Sequence, residues 1–598
     1  MTDTAPITPP GASLRAAAPW LAAVVLAALL FGCFRVSDPD AFWHLRTGQV
    51  ILETARPVRT NLFSAFYPDY PWHNTEWLFE VALAGAYNLG GWAGVAALKL
   101  AVFAATAAVV FLTLFGASGA APLAAVVTTV VLALLRYRVT ERPQLFSLLL
   151  LALVIGAVER DARRGGRAIW ALPALFALWS NVHPELVLGL GYLALRLLGG
   201  GLDALRGAGP APGALRRQAA VLALSALATL ANPEGWHALL APLALLRDPA
   251  LPQVTEFRRT TLAGNPLFWA LLAAAAALVP ARRELRRFSV VLPLAAFGVV
   301  GAAVSRGPTA FALAAAPVLC AGLAPLAAGR PRRLVAAGAA AAVLLVAGAT
   351  LKFDRRYNYH WGYGTIPQML PEAAASFILA QNLPPNLYNH YNDGGYLIYR
   401  LYPRLRVFQD GHNTVPPEFN EKLGRLHVTG FGALHEQFGV NTALIRTEEY
   451  GLFFPPEDWG LVFWDDTYAV LLRRSPEQAR LLSRLAYRAY LPGRALPTDR
   501  FGLGLAVGEM RRNQRERASP SWRLAIDTGS ALMRLKDFAG AEREMAYAAA
   551  IAPREPEPWA YLSMVRSLLG KRADAAAALA EARRLDPAGA RIRDVVGP

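Results

Sequence analysis

Cysteine is nearly absent from this chain: of 598 residues only Cys33 and Cys320 carry a thiol, and they lie in separate apolar runs. That excludes a disulfide framework and any cysteine-based metal spacing. Charge is sparse as well, at 17% of residues, whereas 55% are hydrophobic and the mean hydropathy is +0.30. The apolar runs extend from the N-terminus to about Leu351, after which the chain turns polar and aromatic. Such a pattern is that of an α-helical polytopic membrane protein with a soluble tail. The formal net charge of +17 does not point to nucleic acid, because the arginines before Leu351 fall largely in short clusters between apolar runs, where they set orientation.

Arg15 and the apolar run Ala16 to Phe34 have the form of a signal peptide, and Leu30-Phe31-Gly32-Cys33 loosely resembles a lipoprotein cleavage box. Many further spans follow and Phe31 fits such a box poorly, so a retained anchor is expected. Arg clusters at 160–167, 206–217, 282–287 and 330–333 are placed with Arg15 on the cytoplasmic side. Apolar segments starting near Ala16, Trp92, Pro122, Gln144, Ala168, Leu186, Ala219, Pro266, Phe288, Thr309 and Leu334 then predict about eleven crossings, an internal N-terminus and an external tail. Parity requires that Trp77 to Leu89 not cross, so it is read as a helix lying in the interface, as is Phe42 to Thr54. The predicted organisation is a membrane domain at 1–351 with a first external loop at 36–91, an external α/β domain at 352–475 and a helical-repeat domain at 476–598.

Under that topology the conspicuous polar residues converge on the external face. They are Asp38, Asp40, His44, His73, Glu76, Arg138, Glu141, Arg142, His183, Glu185, Asn232, Glu234, Glu256, Arg258 and Arg306. Singly, each has a structural reading: an Asp can cap a helix, an Arg can meet phospholipid headgroups, and Asn232-Pro233 can simply turn the chain. Ser37-Asp38-Pro39-Asp40-Ala41-Phe42-Trp43-His44 carries more weight, because two carboxylates and an imidazole follow directly on the first span, where charge is expensive to keep.

The run Asp-Pro-Asp-x-x-Trp-His-Leu-x-Thr-Gly, with Asn61-Leu62-Phe63-Ser64, Pro71 to Trp77, Arg142-Pro143-Gln144-Leu145-Phe146-Ser147, Trp179-Ser180-Asn181-Val182-His183 and Asn232-Pro233-Glu234-Gly235-Trp236, resembles a family of bacterial polytopic proteins related to C-type (GT-C) glycosyltransferases. The resemblance covers roughly the first 350 residues and extends into the external domain. It implies sugar transfer from a polyprenyl-phosphate donor at the outer face of the bacterial cytoplasmic membrane. An acidic residue of the first loop would act as base, and a divalent metal, Mg or Mn, would take part in some members. The chemistry asks for a base, cations for the leaving phosphate and a dry pocket. Asp38, Asp40, His44, His73 and Glu76 are the catalytic candidates, Asp38 and Asp40 also the metal candidates. Arg138, Glu141, Arg142, His183, Arg258 and Arg306 are the candidates for phosphate and substrate.

In the tail, Asn386 to Ile398 reads as a strand, a Gly394-Gly395 turn and a helix start, and Leu405 to Phe408, Thr442 to Arg446, Leu461 to Trp464 and Tyr468 to Leu472 read as strands. The glycine pair lacks the spacing and lysine of a phosphate loop. Leu535 matches Leu569, Ala541 matches Ala575, Ile551 matches Leu585 and Pro553 matches Pro587, each 34 residues apart. This period looks like a tetratricopeptide (TPR) repeat, which either binds a protein partner or caps the α/β domain, resting on helices within Pro476 to Arg512. Two functions from different classes follow: the glycosyltransferase, or a non-catalytic membrane scaffold that organises an envelope assembly through its external domains. A transporter fits less well, because the polar groups gather at one face instead of the midplane.

Overall fold

The structure is a computed structural model that describes residues 14–240, 255–327, 330–356, 360–412, 414–429, 431, 434–517 and 519–596. Its contacts divide the chain into two units: residues 1–60 with 71–366, and residues 61–70 with 367–598.

The first unit is helical. Its helices are α1 (Leu14–Gly32), α2 (Asp40–Thr54), α3 (Trp77–Ser118), α4 (Ala121–Leu135), α5 (Gln144–Arg164), α6 (Leu172–Trp179), α7 (Leu186–Leu205), α8 (Pro212–Ala228), α9 (Pro266–Ala281), α10 (Phe288–Ala303), α11 (Gly307–Ala327) and α12 (Arg332–Arg356). Each of the eleven predicted apolar segments lies largely on one of these helices. Among the described residues, six helices are long and apolar enough to cross a membrane, and the helices at 168–179, 266–281 and 288–303 are apolar but shorter. Helix is the form such runs must take, since a lipid-embedded backbone has to satisfy its own hydrogen bonds. Phe31, Phe103, Phe111, Phe176 and Trp179 are fully buried in the core of the bundle.

Helix α3 is broken where interface helix and span were predicted to meet. Gly91 has φ 56° and ψ −142°, and Gly90 is non-helical beside it. Only glycine adopts that backbone without strain. The first half of α3 packs on α2, and Gly48 makes the approach possible, since a Cβ there would lie 1.9 Å from the Glu80 carbonyl oxygen.

The second unit carries a four-stranded sheet of β1 (Leu387–Asn389), β2 (Thr442–Arg446), β3 (Trp459–Trp464) and β4 (Tyr468–Arg473), in the order β1-β2-β4-β3. β1 is parallel to β2 and the other pairs are antiparallel. Two details differ from the sequence reading. Gly394 and Gly395 lie inside a helix, Tyr391–Leu401, and glycine is needed at 394 because a Cβ there would lie 2.1 Å from the Gln409 carbonyl oxygen. Val407 forms single bridges instead of a strand, to Leu387 on one side and to Ser64 on the other. Segment 61–70 thereby belongs to this unit: Asn61 Nδ2 donates to the Thr414 carbonyl at 2.7 Å, and the Phe66 ring sits among Phe408, Phe419 and Phe438.

Beyond the sheet, helix Arg500–Glu516 packs on a helical hairpin, Trp522–Arg534 with Phe538–Ile551, which in turn packs on a second, Pro556–Leu568 with Arg572–Leu585. All four boundaries recur after 34 residues, so the sequence repeat is a structural one. Leu503, Ala506 and Met510 share one buried cluster with Leu524, Met545 and Leu562, as the expected support from upstream helices requires.

Candidate functional site

Six connections of the first unit contribute to one polar network: the first two, α1–α2 and α2–α3, and then every second one, α4–α5, α6–α7, α8–α9 and α10–α11. Segment 34–36 also pairs with 360–365, through Arg35 N–H to the His360 carbonyl and Val36 N–H to the Gly364 carbonyl, both at 2.8 Å. The Arg clusters lie on the alternate connections.

Arg142 is the centre. Its Nε reaches Asp38 Oδ2 at 2.5 Å, Nη2 reaches Asp40 Oδ2 at 2.8 Å, and Nη1 reaches Glu256 Oε1 at 3.0 Å. A guanidinium suits this task because its donors are fixed in a planar fork. The two aspartates are spaced by a local turn, with Asp38 Oδ1 accepting the Asp40 N–H at 3.1 Å. Glu256 is shared with Arg306, which bonds its other oxygen through Nε and Nη2. Arg138 donates to the Arg306 carbonyl at 3.3 Å and pairs with Glu185 at 2.8 Å.

From Glu185 the chain of charges alternates carboxylate and imidazole. His183 lies 3.6 Å from Glu185 and 3.7 Å from Glu76, and His44 lies 3.8 Å from Glu76 and 3.2 Å from Glu80. Ser147 Oγ fixes the His183 ring at 2.9 Å and is itself held by the Trp179 indole N–H at 2.9 Å. Asn74 donates to Glu80 at 2.7 Å.

Burial sets the protonation of this row. It pushes Glu76 up to about 8, with the Asp40 charge adding to the rise, so Glu76 carries a proton at neutral pH. Burial likewise pushes Asp40 up to about 6, Arg142 pulling it down and Asp38 raising it. His183 is held at about 4 by burial and is neutral. Glu256 is also desolvated, but Arg306 and Arg142 outweigh that and keep its carboxyl below the usual range. An ionised Asp40 beside a protonated Glu76 is a division of labour between two carboxyls set by their surroundings.

Asp38, Asp40, His44, Glu76, Arg138, Arg142, His183 and Arg306 are thus brought together. His73 goes elsewhere: it bonds Glu234 at 2.7 Å and stacks on His237 at 4.3 Å, in a half-exposed cluster with Arg59 and Trp236. Glu141 pairs with Lys99 at 2.7 Å, deep in the bundle. Arg258 is exposed, and among the described residues only its carbonyl is engaged, by Ser305 N–H at 2.8 Å. As a metal site the Asp38/Asp40 pair does not fit the donor set of a divalent ion: Arg142 spans both carboxylates, and no group of three His, Cys, Asp or Glu side chains among the described residues is placed to hold one.

Glu80, Lys99 and the bridging role of Glu256 escaped the sequence reading. Glu80 and Lys99 carried a signal, each being a charge within an apolar run. Nothing local marks Glu256 as the link between Arg142 and Arg306, which lie 114 and 50 residues away from it.

In comparisons with known proteins, no protein-family model and no curated protein matches this chain.

Proposed function

We propose that this chain is a C-type membrane glycosyltransferase that moves a sugar from a polyprenyl-phosphate donor to an acceptor outside the cytoplasmic membrane. The observation that carries the reading is the meeting of a perturbed carboxyl pair, Asp40 and Glu76, with three arginines at the helix ends of an apolar bundle. In the proposed step, Asp40 takes the hydroxyl proton of the acceptor as its oxygen attacks the anomeric carbon. The bond from that carbon to the phosphate oxygen breaks, and the electron pair leaves with the phosphate. Arg142 and Arg306 take up the growing negative charge, each loosening one arm from Glu256. Asp38 is the alternative base, and otherwise orients Arg142.

A scaffold is the second reading, favoured by one observation: Arg138, Arg142 and Arg306 are all already paired with carboxylates, as in a purely structural ion-pair network. The test is transfer of radiolabelled sugar from polyprenyl-phosphate donors in membranes carrying wild type or Asp40→Asn. Loss of transfer with normal membrane insertion supports the enzyme. A cellular phenotype that survives the double Asp38→Asn, Asp40→Asn variant but is lost on deleting residues 519–596 supports the scaffold.

The orientation proposed is N-terminus inside and tail outside. Segment 61–70 of the first loop is part of the second unit, which supports putting that loop and the tail on one side. Leu452→Cys, at an exposed position, is expected to react with an impermeant thiol reagent in intact cells. Reaction only after lysis would overturn the orientation.

A further inference from the structure

The first unit contains a cavity of about 620 Å³ at the far end of α5 from the Arg142 network. Helix α5 begins two residues after Arg142 and, at 21 residues, carries the chain about 30 Å away. The walls are apolar side chains of α3 and α5, among them Val109, Phe115 and Leu153, and the rim carries Arg160, Arg163 and Arg164. Volumes of about 300–1,000 Å³ are typical of ligand pockets. Arg163 is tied to Glu159 at 3.7 Å, which in turn holds Arg196 at 3.1 Å. Arg160 and Arg164 have no hydrogen-bond or ion-pair partner among the described residues.

We infer that this cavity is a binding site for an anionic glycerophospholipid, with an acyl chain against the apolar walls and the headgroup phosphate on Arg160 and Arg164. Orientation alone requires cationic loops, not a cavity beneath them. Several side chains of the other Arg clusters are already engaged: Arg217 is spent on Asp161 at 2.9 Å, Arg206 lies over the Phe288 ring, and Arg282 and Arg286 bond carbonyls. Apolar walls under two uncommitted guanidinium groups are complementary to a molecule that is apolar at one end and singly negative at the other. The inference does not depend on the transferase reading.

The test is native mass spectrometry of the full chain released from nanodiscs of phosphatidylglycerol or phosphatidylcholine. Wild type is expected to retain one phosphatidylglycerol and no phosphatidylcholine. Arg160→Gln with Arg164→Gln is expected to lower retention about tenfold or more. Ala157→Phe, which fills the cavity without altering charge, is expected to do the same. Arg332→Gln with Arg333→Gln, an equal charge loss elsewhere, should leave retention unchanged. Equal retention of both lipids, an equal effect of the Arg332/Arg333 control, or undiminished retention in Ala157→Phe would each show headgroup attraction to the surface alone and overturn the site.

Discussion

Glu141 and Arg142 are neighbours in sequence and enter two ion-pair systems of opposite character. Glu141 meets Lys99 in the interior, where each side chain is 2% exposed, and Lys99 also donates to the Phe34 carbonyl at 2.7 Å and lies over the Phe34 ring. Arg142 meets three carboxylates, and one of them, Glu256, is 40% exposed. The sealed pair can exchange nothing with solvent or substrate. The open network can give up a contact and take another. One pair is sealed within the fold, and the other has the solvent-facing member that the proposed change of partners requires.

The strongest way to break this contrast is to neutralise a member of each system. Asp40→Asn is expected to lower sugar transfer by about 10²–10⁴-fold, the contribution of a general base, with little change in melting temperature. Transfer within threefold of wild type would remove Asp40 from the chemistry. Lys99→Met is expected to do the reverse, destabilising the fold by about 3–5 kcal/mol because it leaves the Glu141 charge buried alone. Adding Glu141→Leu to Lys99→Met should recover most of that loss. A thermal melt in which Lys99→Met matches wild type would mean that the pair is not sealed.

Arg142→Lys sharpens the comparison with a smaller effect, about tenfold on transfer, since an ammonium cannot span three carboxylates as a fork does. An Arg142→Lys variant with wild-type transfer would leave the fork without a role. A pH profile tests the two carboxyls together. Transfer should rise as Asp40 ionises through about 6 and fall as Glu76 loses its proton through about 8, adding a negative charge that opposes the donor phosphate. Because Glu76 is raised in the fold, its stabilisation is fully present below its ordinary value of 4.5 and is lost as pH rises through about 8. Glu76→Gln should therefore remove both the alkaline fall in rate and the loss of stability between about pH 4.5 and 8; a wild-type alkaline limb in that variant would assign it to another group. The smallest effect is expected at His73→Ala, less than about threefold, since its cluster with Glu234 and His237 lies outside the network. A larger loss would draw that cluster into the site.

Much of the helical architecture was legible in composition. Runs of apolar residues between arginines predict helices and their alternation, and dividing Trp77 to Leu89 from the run that starts at Trp92 matches the break in α3 at Gly90 and Gly91. The 34-residue recurrence of leucine and alanine gives the hairpins their boundaries. What sequence could not supply is which loops meet. The same motif places Trp72 and His73 next to Asn74 and Glu76, yet His73 turns to Glu234 while Asn74 turns to Glu80, since loop direction depends on contacts far along the chain. Gly394-Gly395 misled for a related reason: glycine signals a turn and a close approach alike, and here the approach is by the backbone at Gln409.

Segment 61–70 has a consequence for biosynthesis. It leaves the ribosome about 340–370 residues before the residues it packs with, from Val407 to Phe438, have been made. Phe66 and Tyr67 must wait while every later helix of the first unit is inserted, and only then complete an aromatic core begun without them. A fragment starting at Pro367 lacks those rings and the Ser64 bridge to Val407. The tail is therefore a domain in position but not in inheritance: cut from the chain, or grafted to another, it leaves behind ten residues that belong to the first loop.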